Sequence, residues 1–205
     1  MPVPSIRCED VPAHPDFRAL STLVGIDIDL RYARSDNFAG RVLYRNGMDC
    51  AWLRREAAAG LDAAAAWLTV ERPRWRLRVL DALRPQRVQE AIWAEVGHTP
   101  LAEYFANPAH GSVHSFGMAV DVTLLDAQGA EADMGSGFDE MSRLSHPALE
   151  AEHLALGTLR AEQLAHRGWL RAAMRRGGFH TITTEWWHFD HGDRSHVRSR
   201  LPRVD

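Results

Sequence analysis

Ser112-Val113-His114-Ser115-Phe116-Gly117-Met118-Ala119-Val120-Asp121-Val122-Thr123, read together with Glu185-Trp186-Trp187-His188 far downstream, is the part of this chain that the rest must hold in place. The first stretch offers one imidazole and one carboxylate, and the second offers another imidazole. Three protein ligands of mixed nitrogen and oxygen character, with a fourth position left to water, suit a catalytic zinc; a structural zinc is usually closed by four ligands rich in cysteine. His114, Asp121 and His188 are therefore the candidate metal ligands, and Glu185, three residues before His188, is free to serve as a base. Two distant pieces of chain must meet for this to work.

Spacing sets the local geometry. His114 and Asp121 are seven apart, so on one uninterrupted strand they would point to opposite faces. Gly117 between them permits the turn or bulge that lets both converge. His114 is thus expected in a loop and Asp121 on the strand that follows. From Ala119 to Leu125, Val120, Val122 and Leu124 share one parity while Ala119, Asp121 and Thr123 share the other, which predicts one buried face and one that presents ligands. Glu185 and His188 would also diverge on a regular strand, so Glu185 is expected at a kink where that strand begins.

The 205 residues, 45% hydrophobic and 25% charged, fit one globular domain with a core of ordinary size. A formal charge of -3 gives no basic stripe for nucleic acid, so the expected partner is a small molecule. Cys8 and Cys50 are too few for a disulfide framework and form no Cys-x-x-Cys pair, so both are read as inert. No window approaches a membrane span and the N-terminus lacks a signal-peptide core, which makes a cytoplasmic enzyme the expectation. Oligomeric state is left open, a homo-oligomer included.

Along the chain, residues 1–20 carry four prolines and read as an irregular arm. Val24, Ile26, Ile28 and Leu30 alternate as a strand with one buried face. Residues 49–68 are rich in helix formers, with Gly60 a tolerated weak point and Trp52, Ala59, Ala63, Ala66 and Trp67 as the apolar stripe. Leu77 to Leu83 form the next strand, closed by Arg84-Pro85, with Pro85 opening a helix to about residue 96. Residues 97–111 form a loop, residues 126–130 a hairpin turn and residues 147–157 a weakly patterned helical stretch. Residues 159–176 form a second good helix, stopped by Gly177-Gly178. The last strand is expected over 179–190, and residues 191–205 as a solvated polar tail. His14, His98, His110, His146, His153, His166, His180, His191 and His196 lie at no motif spacing and are expected to face solvent. Asp139, from the residues alone, reads as a cap for the next helical turn.

The pattern S-x-H-x-x-G-x-A-x-D followed by E-x-W-H resembles the signature of the D-alanyl-D-alanine dipeptidases of the VanX type, zinc peptidases that share the Hedgehog/DD-peptidase fold. Tyr32-Ala33-Arg34-Ser35-Asp36-Asn37-Phe38, Asp81-Ala82-Leu83-Arg84-Pro85 and Met134-Gly135-Ser136-Gly137-Phe138-Asp139 resemble further motifs of that family, so the likeness covers roughly residues 20–190. It implies an α+β chain with one domain, a central and mostly antiparallel sheet, and flanking helices. Residues 21–190 would be the catalytic domain.

The resemblance also implies one zinc ion and hydrolysis of the D-Ala-D-Ala dipeptide to free D-amino acids. It gives Arg84 the developing oxyanion, Asp139 with Tyr32 the substrate's ammonium, and Ser112 its carboxylate end. Ala82, Leu83, Val113 and Phe116 depart from the family pattern and bear on which dipeptides fit; Tyr44 is one candidate for a further family tyrosine. Two rivals share the ligands: a D,D- or L,D-carboxypeptidase acting on peptidoglycan stem peptides, and a non-catalytic zinc-containing binding module, which would need neither Glu185 nor Arg84.

Overall fold

Ala119–Leu125 is the central strand because five of its seven residues are apolar and all seven are buried, not on one face only as the alternation suggests. The face carrying Asp121 and Thr123 is covered by the elements that build the site. The computed structural model describes residues 5–45 and 47–205; Met1 to Pro4 of the expected arm lie outside the described residues. In chain order the strands are β1 (Ser5–Ile6), β2 (Phe17–Ala19), β3 (Ile26–Ile28), β4 (Trp52–Arg54), β5 (Arg76–Asp81), β6 (Ala119–Leu125), β7 (Phe179–Thr181), β8 (His188–His191) and β9 (Arg203–Val204). The helices are α1 (Arg55–Glu71), α2 (Gln86–Val96), α3 (Glu150–Ala155), α4 (Ala161–Arg176) and α5 (Arg194–Arg200).

Five strands form the main sheet in the order β3-β5-β6-β8-β7. β3 pairs with β5 in parallel and every other neighbouring pair in it is antiparallel, the α+β arrangement expected. One face packs on α1 and α4, where Leu61, Leu68, Leu170 and Met174 meet Val79, Val122 and Phe189. A second apolar cluster, with Tyr32, Tyr44, Leu83, Ile92 and Phe105, lies toward the site. Two small ribbons complete the molecule: β2 with β4, and β1 with β9, which join the two ends of the described chain in parallel.

Several expectations are corrected. The first sheet strand is shorter than residues 24–30, and Val24 is 82% exposed because an edge strand bonded only over Ile26–Ile28 leaves it outside the sheet. In α1 the buried face is Ala57, Ala58, Leu61, Ala64, Ala65 and Leu68, while Ala59, Ala63 and Ala66 are not part of it. An alanine-rich run has little contrast between faces, and the two leucines decide the phase. Residues 191–205 are not a solvated tail: they form α5 and β9, and Val197 and Val204 are buried. His166 is buried as well, its Nδ1 bonded to the Asp133 carbonyl at 2.9 Å and its ring beside Trp75 and Trp169.

Candidate metal centre and active site

Sheet register brings the expected ligands together. Asp121 on β6 pairs directly with His188 on β8 and with Asp81 on β5, so three polar side chains sit side by side across the sheet. Directly opposite residues of an antiparallel pair are the closest cross-strand neighbours. His114 arrives from a 3-10 turn, Val113–Phe116, that folds back onto the start of β6. Gly117 ends the turn at φ 69°, a left-handed conformation, and its amide donates to the His114 carbonyl at 3.0 Å. A Cβ there would stand 2.8 Å from the Phe17 ring, so glycine is required on both counts.

One donor atom from each of His114, Asp121 and His188 lies within 4.8 Å of the others, and all three residues are buried. The outer ring nitrogens fix the tautomers. His114 Nδ1 donates to the Ala82 carbonyl at 2.7 Å, and His188 Nε2 donates to Asp190 Oδ1 at 2.9 Å. Neither partner has a proton to give, so the inner nitrogens, His114 Nε2 and His188 Nδ1, present lone pairs to each other across 3.1 Å. Asp121 Oδ1 completes the group, 2.9 Å from His188 and 3.3 Å from His114. Two lone pairs and a carboxylate turned to one point need a cation among them, and on this ground the residues fit a metal ion. The surroundings favour positive charge here, which either a proton or a metal ion can supply: burial disfavours charge on His188, but Asp190 and Asp121 outweigh it and raise its pKa well above the ordinary value. Burial likewise opposes charge on Asp121, yet the two imidazoles hold its carboxyl well below the usual range.

Glu185 lies before the start of β8, as the expected kink requires, with Oε2 4.0 Å from His188 Nδ1. Burial pushes its carboxyl up to about 7, against the pull of His188. Arg84 follows β5 and is buried, its Nε and Nη2 donating to Asp81 Oδ2 at 3.0 and 2.7 Å and its Nη1 to Gln89 at 3.1 Å. Its guanidinium stacks 4.8 Å from the Tyr32 ring and stands 3.6 Å from Asp121. Three of its five N–H groups are thus committed, and one on each terminal nitrogen is left for a ligand.

Asp139 is no helix cap. It takes φ 60°, a conformation aspartate tolerates better than most residues, accepts from the Phe38 amide at 3.3 Å, and stands 3.4 Å from the Tyr32 hydroxyl. Burial and the charge of Asp121 raise its pKa well above the usual carboxylate value. Ser112 is buried and its hydroxyl has no hydrogen-bond partner among the described residues. All eight predicted site residues line one cavity of about 330 Å³, a size suited to a small ligand.

Sequence reasoning missed the residues that orient these groups. Asp190 sits two positions beyond His188, so strand periodicity puts both on one face, a signal that was readable. Arg194 grips Asp190 in turn, and with His188 holds its carboxyl down at about 2 although burial opposes this. Asp81 and Tyr44 were marked by the family resemblance, but no spacing tied either of them to Arg84. The Tyr44 hydroxyl donates to Asp81, which anchors Arg84, so the role of this tyrosine depends on a loop meeting a strand 37 residues away. None of the nine remaining histidines joins the ligand group.

The profile of the D-ala-D-ala dipeptidase family, peptidase M15, matches residues 17–204. The chain is 35% identical over 165 residues to the D-alanyl-D-alanine dipeptidase of Escherichia coli (strain K12), across 80% of this chain and 78% of that one. It is 31% identical over 176 residues to the D-alanyl-D-alanine dipeptidase of Synechocystis sp. (strain ATCC 27184 / PCC 6803 / Kazusa), across 69% and 70%. The solved LdcB LD-carboxypeptidase superposes with a TM-score of 0.46 at 16% identity, over 90% of this chain and 72% of that one, a likeness too loose to bear on function. With the family profile spanning nearly the whole sequence, this chain belongs to the D-ala-D-ala dipeptidase family of peptidases.

Proposed function

We propose that this chain is a zinc dipeptidase that hydrolyses D-alanyl-D-alanine, or closely related D,D-dipeptides, to free D-amino acids. The observation that carries the reading is the convergence of His114 Nε2, Asp121 Oδ1 and His188 Nδ1 beside the buried Glu185 in a dipeptide-sized cavity. A zinc ion held by those three residues supplies Lewis acidity toward a water molecule and the scissile carbonyl.

The protein's own groups do the rest. The Glu185 carboxylate, whose affinity for a proton is raised by burial, takes one from the attacking water and delivers it to the leaving amine nitrogen. The free N–H groups of Arg84, held in place by Asp81, face the oxyanion as it develops. Asp139, with the Tyr32 hydroxyl beside it, receives the substrate's ammonium, so a free N-terminus is required. Ser112 meets the carboxylate end. The proposal includes a cytoplasmic location; among the described residues no helix is long and apolar enough to cross a membrane.

The test is one assay. Zinc-loaded protein is offered D-Ala-D-Ala, L-Ala-L-Ala, N-acetyl-D-Ala-D-Ala and a pentapeptide stem, and released alanine is measured. Only the first is expected to be cleaved well, and Glu185→Gln should keep its zinc yet lose at least about two powers of ten in turnover. Release from the stem peptide at a rate like that from the free dipeptide would give the site to the carboxypeptidase reading.

A further inference from the structure

The C-terminal helix α5 lies over the turn that carries His114 and brings two arginines, Arg194 and Arg198, to the cavity wall. Three arginines line this cavity, and they differ in what holds them. Arg84 is locked onto Asp81, and Arg194 onto Asp190. Arg198 has no carboxylate within salt-bridge distance among the described residues. Its Nε donates to the Gly111 carbonyl at 3.2 Å, which sets the guanidinium beside the next residue, Ser112, and leaves both terminal nitrogens uncommitted. Arg203 fixes the same loop through the carbonyls of Pro108 and Ala109, at 3.2 and 3.3 Å, so the Gly111–Ser112 corner is anchored.

Apart from Arg84 and Arg194, each held by a carboxylate, the charged groups in the rest of the cavity are acidic. Asp121, Asp139, Glu185 and Asp190 all line it, with Glu103 at its edge. Away from the free N–H groups of Arg84, which face the proposed ion site, an anionic group on a ligand is repelled by those carboxylates and meets unpartnered donors at the Ser112 hydroxyl and the Arg198 guanidinium. We infer that Arg198 joins Ser112 at the substrate's carboxylate end, as a further residue that reads the free C-terminus. The inference rests on the dipeptidase reading for the identity of the ligand. It makes Arg198 a specificity residue: it acts on the leaving amino acid's carboxylate and takes no part in proton transfer. A guanidinium presents paired N–H groups to a carboxylate, which a lone hydroxyl cannot do.

The experiment compares D-Ala-D-Ala with its C-terminal amide on the zinc-loaded wild type, Arg198→Met and Arg198→Lys. Arg198→Met is expected to raise KM for D-Ala-D-Ala by about tenfold or more, as loss of a charge-assisted bond should, while kcat stays nearly level. The same variant should leave kcat/KM for the amide unchanged, and Arg198→Lys should recover part of the loss. An equal change on both substrates, or none on either, overturns this role for Arg198.

Calorimetric binding of both ligands to zinc-loaded Glu185→Gln, with and without Arg198→Met, repeats the comparison without turnover. Selective weakening there in a protein whose wild type cleaves neither compound would sustain the role of Arg198 and remove the dipeptidase reading. Binding that ignores Arg198 would do the reverse, and no binding of either ligand would sink both.

Discussion

At the scale of single residues, the chemistry depends on which nitrogen of each histidine faces the ligand group. Asp190 settles this for His188 by holding Nε2 as the donor, and Arg194 holds Asp190. Partners of this kind typically alter metal affinity by about 10–100-fold when removed. Asp190→Asn is accordingly expected to weaken zinc binding by about that factor, read by competition with a chromogenic chelator; unchanged affinity would leave Asp190 no part in positioning. The pH profile tests Glu185. A base must be ionised, so kcat/KM should rise with pH through the carboxyl's pKa, which burial pushes up to about 7. A bound cation pulls the same carboxyl down, so the acid limb should have its midpoint at or below that value. Activity that grows as the pH falls would make Glu185 an acid rather than a base. Sequence displayed these roles unevenly. His114, Asp121, His188 and Glu185 are residue types with few structural uses at such spacing, so they could be picked out as a group. Asp81, Tyr44 and the Ala82 carbonyl matter only through contacts between distant parts of the chain, and no local pattern encodes those.

At the scale of elements, the least anticipated feature is the crossing of α1 and the end of α4. Gly60 read as a weak point in a good helix, but a Cβ on it would lie 2.3 Å from the Gly177 carbonyl, and one on Gly177 would lie 2.1 Å from the Gly60 carbonyl. The two backbones touch, and glycine is what lets them. Alanine at Gly60 gains about 1 kcal/mol of helix propensity but must push a packed backbone aside, at a cost of about 1–3 kcal/mol or more. Gly60→Ala should therefore lower Tm, by about 2–4 °C for each net kcal/mol in a chain of this size. At Gly168, within α4, a Cβ would meet nothing within 4 Å, so Gly168→Ala should raise Tm through propensity alone. A pair of melting curves reads both, and equal shifts would refute the contact argument. The helix itself was legible, but its rotation was not, since Ala59, Ala63 and Ala66 look as apolar as the alanines that are buried. α5 escaped notice for the opposite reason: Arg194-Ser195-His196-Val197-Arg198-Ser199-Arg200 has one apolar residue, and its burial comes from the partner surface.

At the scale of the whole molecule, the sheet order explains how a site split over more than seventy residues of chain becomes one. β6 lies between β5 and β8, so Asp121 meets Asp81 on one side and His188 on the other, and the His114 turn closes over them. Alternation and proline and glycine punctuation marked where strands and helices lie, while the fold class came from the resemblance of the motifs to a known family. The sheet order was not readable, because local patterns say where strands are and not which neighbours they choose. The β1–β9 ribbon, which ties residues near the N-terminus to the last strand just after α5, was invisible for the same reason. The whole arrangement comes down to whether one metal ion sits where the sheet gathers its three donors. Anomalous diffraction from crystals of the zinc-loaded protein, recorded on both sides of the zinc edge, answers this directly. The expected result is a single strong peak within bonding distance of His114 Nε2, Asp121 Oδ1 and His188 Nδ1; a peak at some other group of residues, or none at these three, would contradict the account.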